Sequence, residues 1–103
     1  MMLHFSPRYR KDLISGKKRM TIRYGRKYRV RPGNVVFLAV GNVPIARAKI
    51  TSVQVKQLNR LTPQEIRMEG YRSFDDLLAN LRKHYPEITP QSYVTVIKWA
   101  LMP

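Results

Sequence analysis

The stretch PGNVVFLAVGNVPIARAKITSVQV, residues 32–55, sets the architecture. It opens within a turn, Arg31 to Asn34, in which proline pre-sets one backbone angle and Gly and Asn tolerate the rest. Val35 to Val40 is a nearly continuous apolar run, which predicts a strand buried on both faces. A second turn, Gly41 to Pro44, leads into residues that alternate from Ile45 to Val55. This predicts a long half-buried strand, bent near Ser52. No helical segment separates these strands. No β-α-β repeat occurs elsewhere in the chain, which argues against a doubly wound parallel sheet.

The flanking segments read as follows. Leu3-His4-Phe5 is a short first strand. Ser6-Pro7 opens a helix whose buried side is Tyr9, Leu13 and Ile14, and Gly16 ends it. Met20, Ile22 and Tyr24 alternate with Thr21 and Arg23, a half-buried strand. Thr62-Pro63-Gln64-Glu65 is a capping box that starts a short helix ending at Gly70. Ser73 caps another, with Leu77, Leu78, Leu81 and Tyr85 at roughly helical spacing and Pro86 as its stop. Tyr93 to Leu101 is β-branched and aromatic, a closing strand. The expected fold is α+β: a small mixed or antiparallel β-barrel with about three flanking helices. Trp99, Phe37 and Phe74 are expected in the core.

At 103 residues the chain is expected to form one domain, residues 1–103. It has no cysteine, which excludes disulfides, thiol nucleophiles and thiolate metal sites, and fits a reducing cytoplasm. No signal peptide is expected, and the longest apolar run is far too short to span a membrane. His4 and His84 are distant in sequence and lack further ligand spacing, so they are read as structural and no metal or cofactor is expected.

The net charge of +14 is unevenly spread. Residues 1–60 carry 15 Lys or Arg and one acid, whereas residues 61–103 carry five of each. All of the excess therefore lies in the first sixty residues, a field suited to a polyanion. Residues 15–33, SGKKRMTIRYGRKYRVRPG, hold eight cations and no acid. Gly16, Gly25, Pro32 and Gly33 break this run, so it is no membrane-surface helix. Lys17, Arg19, Arg23, Arg26, Lys27, Arg29 and Arg31, with Arg47 and Lys49, are candidate phosphate contacts, and Tyr28 a candidate stacking surface. The alternative is that Tyr24 and Tyr28 are core and the cations merely solvated.

Five pieces occur in one order: LISGKKRMTIR (13–23), PGNVVFL (32–38), ARAKITSVQV (46–55), LTPQEIRMEGYRSFDDLLANLRKHY (61–85) and VTVIKW (94–99). Together they resemble the ASCH domain, a relative of the PUA RNA-binding barrel, over nearly the whole chain. The resemblance implies a barrel with flanking helices, a cleft between them, and RNA or a nucleotide as ligand. Some ASCH proteins are amidohydrolases that deacetylate 4-acetylcytidine. Their Gly-x-Lys-x-x-Thr-x-Arg pattern matches Gly16, Lys18, Thr21 and Arg23, and their Lys, Thr and Glu triad falls on Lys18, Thr21 and Glu69. The resemblance implies Thr21 as nucleophile, Lys18 as base and Glu69 as acid. Other members are described as ribonucleases, for which no comparable motif is seen here.

Read from the residues alone, each keeps a second meaning. Lys18 is a solvated lysine, or a base whose charged form is disfavoured by burial and by Lys17, Arg19 and Arg23. Thr21 fills a strand or faces a cleft. Glu69 is a helix-end residue or a partner for Lys18. Arg23 binds an oxyanion, a phosphate or Glu69 itself. Three functions stay open: a nucleotide- or RNA-binding domain with a basic cleft, an acetylcytidine amidohydrolase, and a structural, ribosome-associated RNA binder.

Overall fold

The computed structural model describes residues 1–26 and 28–103. Lys27, one of the candidate phosphate contacts, lies outside them. Five strands, β1 (Met2–Phe5), β2 (Met20–Tyr24), β3 (Val35–Val40), β4 (Val43–Gln57) and β5 (Tyr93–Leu101), form one mixed sheet in the order β1-β3-β4-β5-β2. β1 runs parallel to β3 and every other pairing is antiparallel. Three helices flank the sheet: α1 (Arg10–Ser15), α2 (Pro63–Met68) and α3 (Phe74–His84). The α+β class and the three flanking helices are as expected from the sequence, and the small barrel expected there forms as a mixed five-stranded half-barrel.

The core has two parts. One lies inside the curl of the sheet, with Leu3, Leu13, Val36, Leu38, Ile50, Ile97 and Trp99 among its residues. The other lies between the sheet and the helices, with Met20, Ile22, Leu77, Leu81, Val94 and Val96. β5 serves both: Val94 and Val96 face the helices while Ile97 and Trp99 face inward. The strand buried on both sides is therefore β5 rather than β3. In β3, Val35 and Phe37 are exposed while Val36 and Leu38 are buried. Phe37, expected in the core, is 43% exposed. A run of apolar residues cannot by itself tell a two-sided strand from a one-sided one that carries apolar residues outside.

Two further expectations are corrected at the first helix. Pro7–Tyr9 forms a 3-10 turn and the α-helix starts only at Arg10, with no side-chain cap from Ser6. Ile14 points to solvent, 48% exposed, so Leu13 is the helix's buried residue. The bend in β4 appears as a register shift between Ile50 and Ser52, which gives this long strand its curl. Gly16 ends α1 at φ 82°, a left-handed conformation that glycine adopts without strain.

α2 is held by its own cap and by the sheet. Thr62 and Glu65 exchange both bonds of the capping box. The Glu65 carboxylate, 3% exposed, also accepts from Lys56 of β4 at 2.9 Å and sits 3.0 Å from Lys98 of β5. Burial pushes its pKa up, but the Lys56, Thr62 and Lys98 donors outweigh burial and lower it to about 2. Its stabilisation is thus complete above the ordinary value of 4.5 and fades as pH falls through about 2. Glu65→Ala is expected to cost about 2–3 kcal/mol at neutral pH. In urea unfolding, the gap between wild type and variant should hold down to mildly acidic pH and close in strong acid.

Candidate active site

The sheet order leaves β1 and β2 as free edges. Arg23 of β2 spans the gap between them: its Nη2 donates to the His4 carbonyl of β1 at 2.8 Å. Its guanidinium lies 5.1 Å from the Phe5 ring centre, and its Nε donates to Thr21 Oγ1 at 3.3 Å. Arg23 thus binds Thr21 and the β1 edge rather than Glu69.

A cavity of about 260 Å³ opens at this seam. β1 contributes His4 and Phe5, β2 contributes Thr21, Ile22 and Arg23, and α3 contributes Leu77, Asn80, Leu81 and His84. Arg8, Tyr9, Lys18, Glu69 and Tyr71 complete the lining with Ser6 and Tyr85.

Lys18, Thr21 and Glu69 meet here although 51 positions separate the first from the last. The turn after Gly16 delivers Lys18, whose backbone N–H donates to the Asp12 carbonyl at 3.0 Å. Lys18 is 8% exposed, and its Nζ donates to Glu69 Oε1 at 3.0 Å. That Nζ also lies 4.9 Å from the Tyr9 ring centre. Glu69 follows the last residue of α2, and Gly70 turns the chain away at φ 95°. Thr21 is 6% exposed; the β2 alternation turns it away from Met20 and Ile22, which pack toward the helices. The solvated-lysine reading of Lys18 is therefore set aside.

Burial raises the Glu69 pKa, and the nearby charges of Lys18 and Arg23 only partly oppose it. A carboxyl whose protonated form is favoured can receive a proton across the 3.0 Å bond from Lys18. That transfer converts an ammonium–carboxylate pair into a free amine and a carboxylic acid, a base and an acid side by side. Burial strips both charges of water, so the transfer costs less here than at a surface.

The other candidates divide. Lys17 and Arg19 are exposed in a shallow groove that shares Lys18 and Glu69 with the cavity. Arg26, Arg29, Arg31, Arg47 and Lys49 are exposed, and none of them lines the cavity. Tyr28 is half-buried against the inner core, where burial raises its pKa, and Tyr24 packs on Tyr85 at 5.3 Å. Among the described residues, no three His, Cys, Asp or Glu side chains gather as a metal site, and no helix is long and apolar enough to cross a membrane.

Reading the residues alone missed Arg8, Tyr9, Tyr71, Asn80 and both histidines as cavity lining. Part of this was visible. Leu77, Asn80, Leu81 and His84 follow helical spacing, and two polar residues on an apolar stripe mark a wet face. The Asn80 amide donates to the Tyr71 hydroxyl.

No family model matches the chain. A curated relative, N(4)-acetylcytidine amidohydrolase of Serratia proteamaculans (strain 568), is 28% identical over 96 residues, covering 91% of this chain and 93% of that protein. The structure of protein EF3133 from Enterococcus faecalis V583 superposes with a TM-score of 0.74 at 17% identity, covering 92% of this chain and 70% of that one. The ASCH domain from Lactobacillus crispatus JV V101 gives 0.69 at 16%, covering 89% and 69%. An ASCH protein of Zymomonas mobilis gives 0.71 at 16%, covering 96% and 66%. With the five-stranded half-barrel and its three helices, these likenesses show that the chain has the fold seen in these ASCH proteins.

Proposed function

We propose that the chain is a metal-independent amidohydrolase that removes the acetyl group from 4-acetylcytidine or a closely related acylated cytosine. The observation that carries this reading is the buried Lys18–Glu69 pair at 3.0 Å, in one cavity with a buried Thr21 hydroxyl. The curated relative named an N(4)-acetylcytidine amidohydrolase, which matches along almost the whole chain, supports the choice of substrate. So does the size of the cavity. At about 260 Å³ it is smaller than the ~300–1,000 Å³ typical of drug-sized ligands, and it suits a base with part of its sugar. The lack of cysteine agrees with action in the cytoplasm.

The chemistry follows from the neutral form of the pair. Lys18 takes the Thr21 proton as Oγ1 attacks the acetyl carbonyl carbon. Arg23, whose Nε already donates to Oγ1 at 3.3 Å, steadies the developing negative charge. The carbon–N4 bond then breaks as Glu69 gives its proton to the departing amine, releasing cytidine. Water cleaves the acetyl-threonine ester, acetate leaves, and the hydroxyl is restored.

A second reading rests on the exposed cations outside the cavity. Arg26, Arg29, Arg31, Arg47 and Lys49 have no ion-pair partner among the described residues. That surplus suits RNA and is unnecessary for a free nucleoside.

Acetate release from 4-acetylcytidine is expected from the wild type, and a fall of about 10²-fold or more is expected in Lys18→Ala, Thr21→Ala and Glu69→Ala. Substrate untouched by the wild type would remove the enzyme reading and leave the binding one.

The pH profile gives a separate check. The active pair holds one proton; acid adds a second to Glu69 and traps Lys18 as the ammonium. Because Glu69 is raised, the acid limb of kcat should lie above the ordinary carboxylate value of 4.5. Residual activity in Glu69→Gln should lack that limb.

A further inference from the structure

The outward face of the sheet carries a pattern that the cavity does not use. Cross-strand partners share a face. Met2 of β1 pairs with Phe37 of β3, which pairs with Arg47 of β4. Two residues along, Val35 pairs with Lys49. All five are exposed, while their alternates Leu3, Val36, Leu38 and Ala48 are buried. The result is an aromatic ring 43% open to solvent, bounded by apolar side chains on one flank and two cations on the other.

Arg47 and Lys49 form no ion pair among the described residues. One Arg47 nitrogen donates to the Pro103 carbonyl at 3.1 Å, and the guanidinium keeps further donors free. The face therefore offers a flat apolar ring and fixed positive charge at neighbouring positions. A ligand complementary to both carries planar faces and a chain of negative charges. Single-stranded nucleic acid has that chemistry, with bases to stack and phosphates to pair. An acidic peptide or polyphosphate matches the charge and leaves the ring unused.

We infer that this sheet face, centred on Phe37 and flanked by Arg47 and Lys49, is a binding platform for single-stranded nucleic acid. One base stacks on Phe37 and adjacent phosphates meet the two cations. The platform lies apart from the cavity, none of whose lining residues belongs to it. It deepens the second reading above, on which its two cations rest, and stands or falls independently of the hydrolase reading.

Phe37→Ala separates stacking from charge, because it leaves the net charge unchanged. Binding of a short fluorescent oligouridine is measured by anisotropy across a salt series. Phe37→Ala should weaken binding by about 5- to 100-fold, the range for one lost base stack, with an unchanged salt slope. Arg47→Ala with Lys49→Ala should instead flatten the slope by about 0.7 per lost phosphate contact. Inorganic polyphosphate of equal charge should bind Phe37→Ala and wild type alike. Phe37→Trp guards against a folding artefact: it should retain affinity, and its emission should be quenched by the RNA. Equal RNA affinity in wild type and Phe37→Ala would overturn the proposal. So would a loss of equal size with polyphosphate. Concentration-dependent dimerisation in light scattering that Phe37→Ala abolishes would reassign the face to a second copy of the chain.

Discussion

The sheet curls round its inner core but stops before its edges meet, and much of the structure follows from that gap. β1 and β2 each present backbone groups that no further strand satisfies. Water would enter such a seam, and an apolar plug would leave those groups unpaired. Arg23 resolves the conflict by donating to the His4 carbonyl while its face covers Phe5. A charged side chain is thereby fixed between the edges, and the space beneath it is the cavity. The one polar bridge that joins the two edges also positions the Thr21 hydroxyl.

Two glutamates on one short helix show how environment divides roles. Glu65 and Glu69 are four residues apart, and each is paired with lysine. Glu65 accepts from Lys56 and the Thr62 N–H and forms an ion pair with Lys98 at 3.0 Å, and its lysines keep contact with water at 20% and 30% side-chain exposure. Its charge is well satisfied, so its pKa falls to about 2. Glu69 receives one donor and is buried, and its pKa rises. The first arrangement locks α2 onto β4 and β5. The second leaves a buried carboxylate with little to offset its burial, which is poor for stability and suited to receiving a proton. Fixing Glu65 anchors α2, and Glu69 is the residue that directly follows it.

Most strands and caps were legible because their causes are local. The Thr62–Glu65 capping box and the Gly16 stop depend on residues a few positions apart, and both formed as read. The bend near Ser52 was likewise visible as an interruption in alternation. What failed was sidedness. β3 and β5 are both apolar runs, yet helices cover only β5, and strand order decides that. Phe37 was misassigned for this reason. The encounter of Lys18 with Glu69 spans half the chain; family resemblance suggested it, whereas spacing alone left each with a bland alternative. The polar stripe of Asn80 and His84 carried a readable signal that was passed over.

The distribution of charge also argues for two separate functions. Catalysis at the seam needs Lys18, Arg23 and Glu69, which together contribute one net positive charge. The remaining surplus of a chain at +14 therefore lies elsewhere. Keeping that many unpaired cations opposes folding through self-repulsion, and salt weakens this only partly. A free nucleoside carries no phosphate and gains nothing from them. A bound polyanion would offset that cost, and Phe37 exposed beside Arg47 and Lys49 would meet its bases as well as its phosphates. The chemistry proposed for the seam and the grip proposed for the sheet then occupy separate parts of one half-barrel: a cavity between its edges and a charged outer wall.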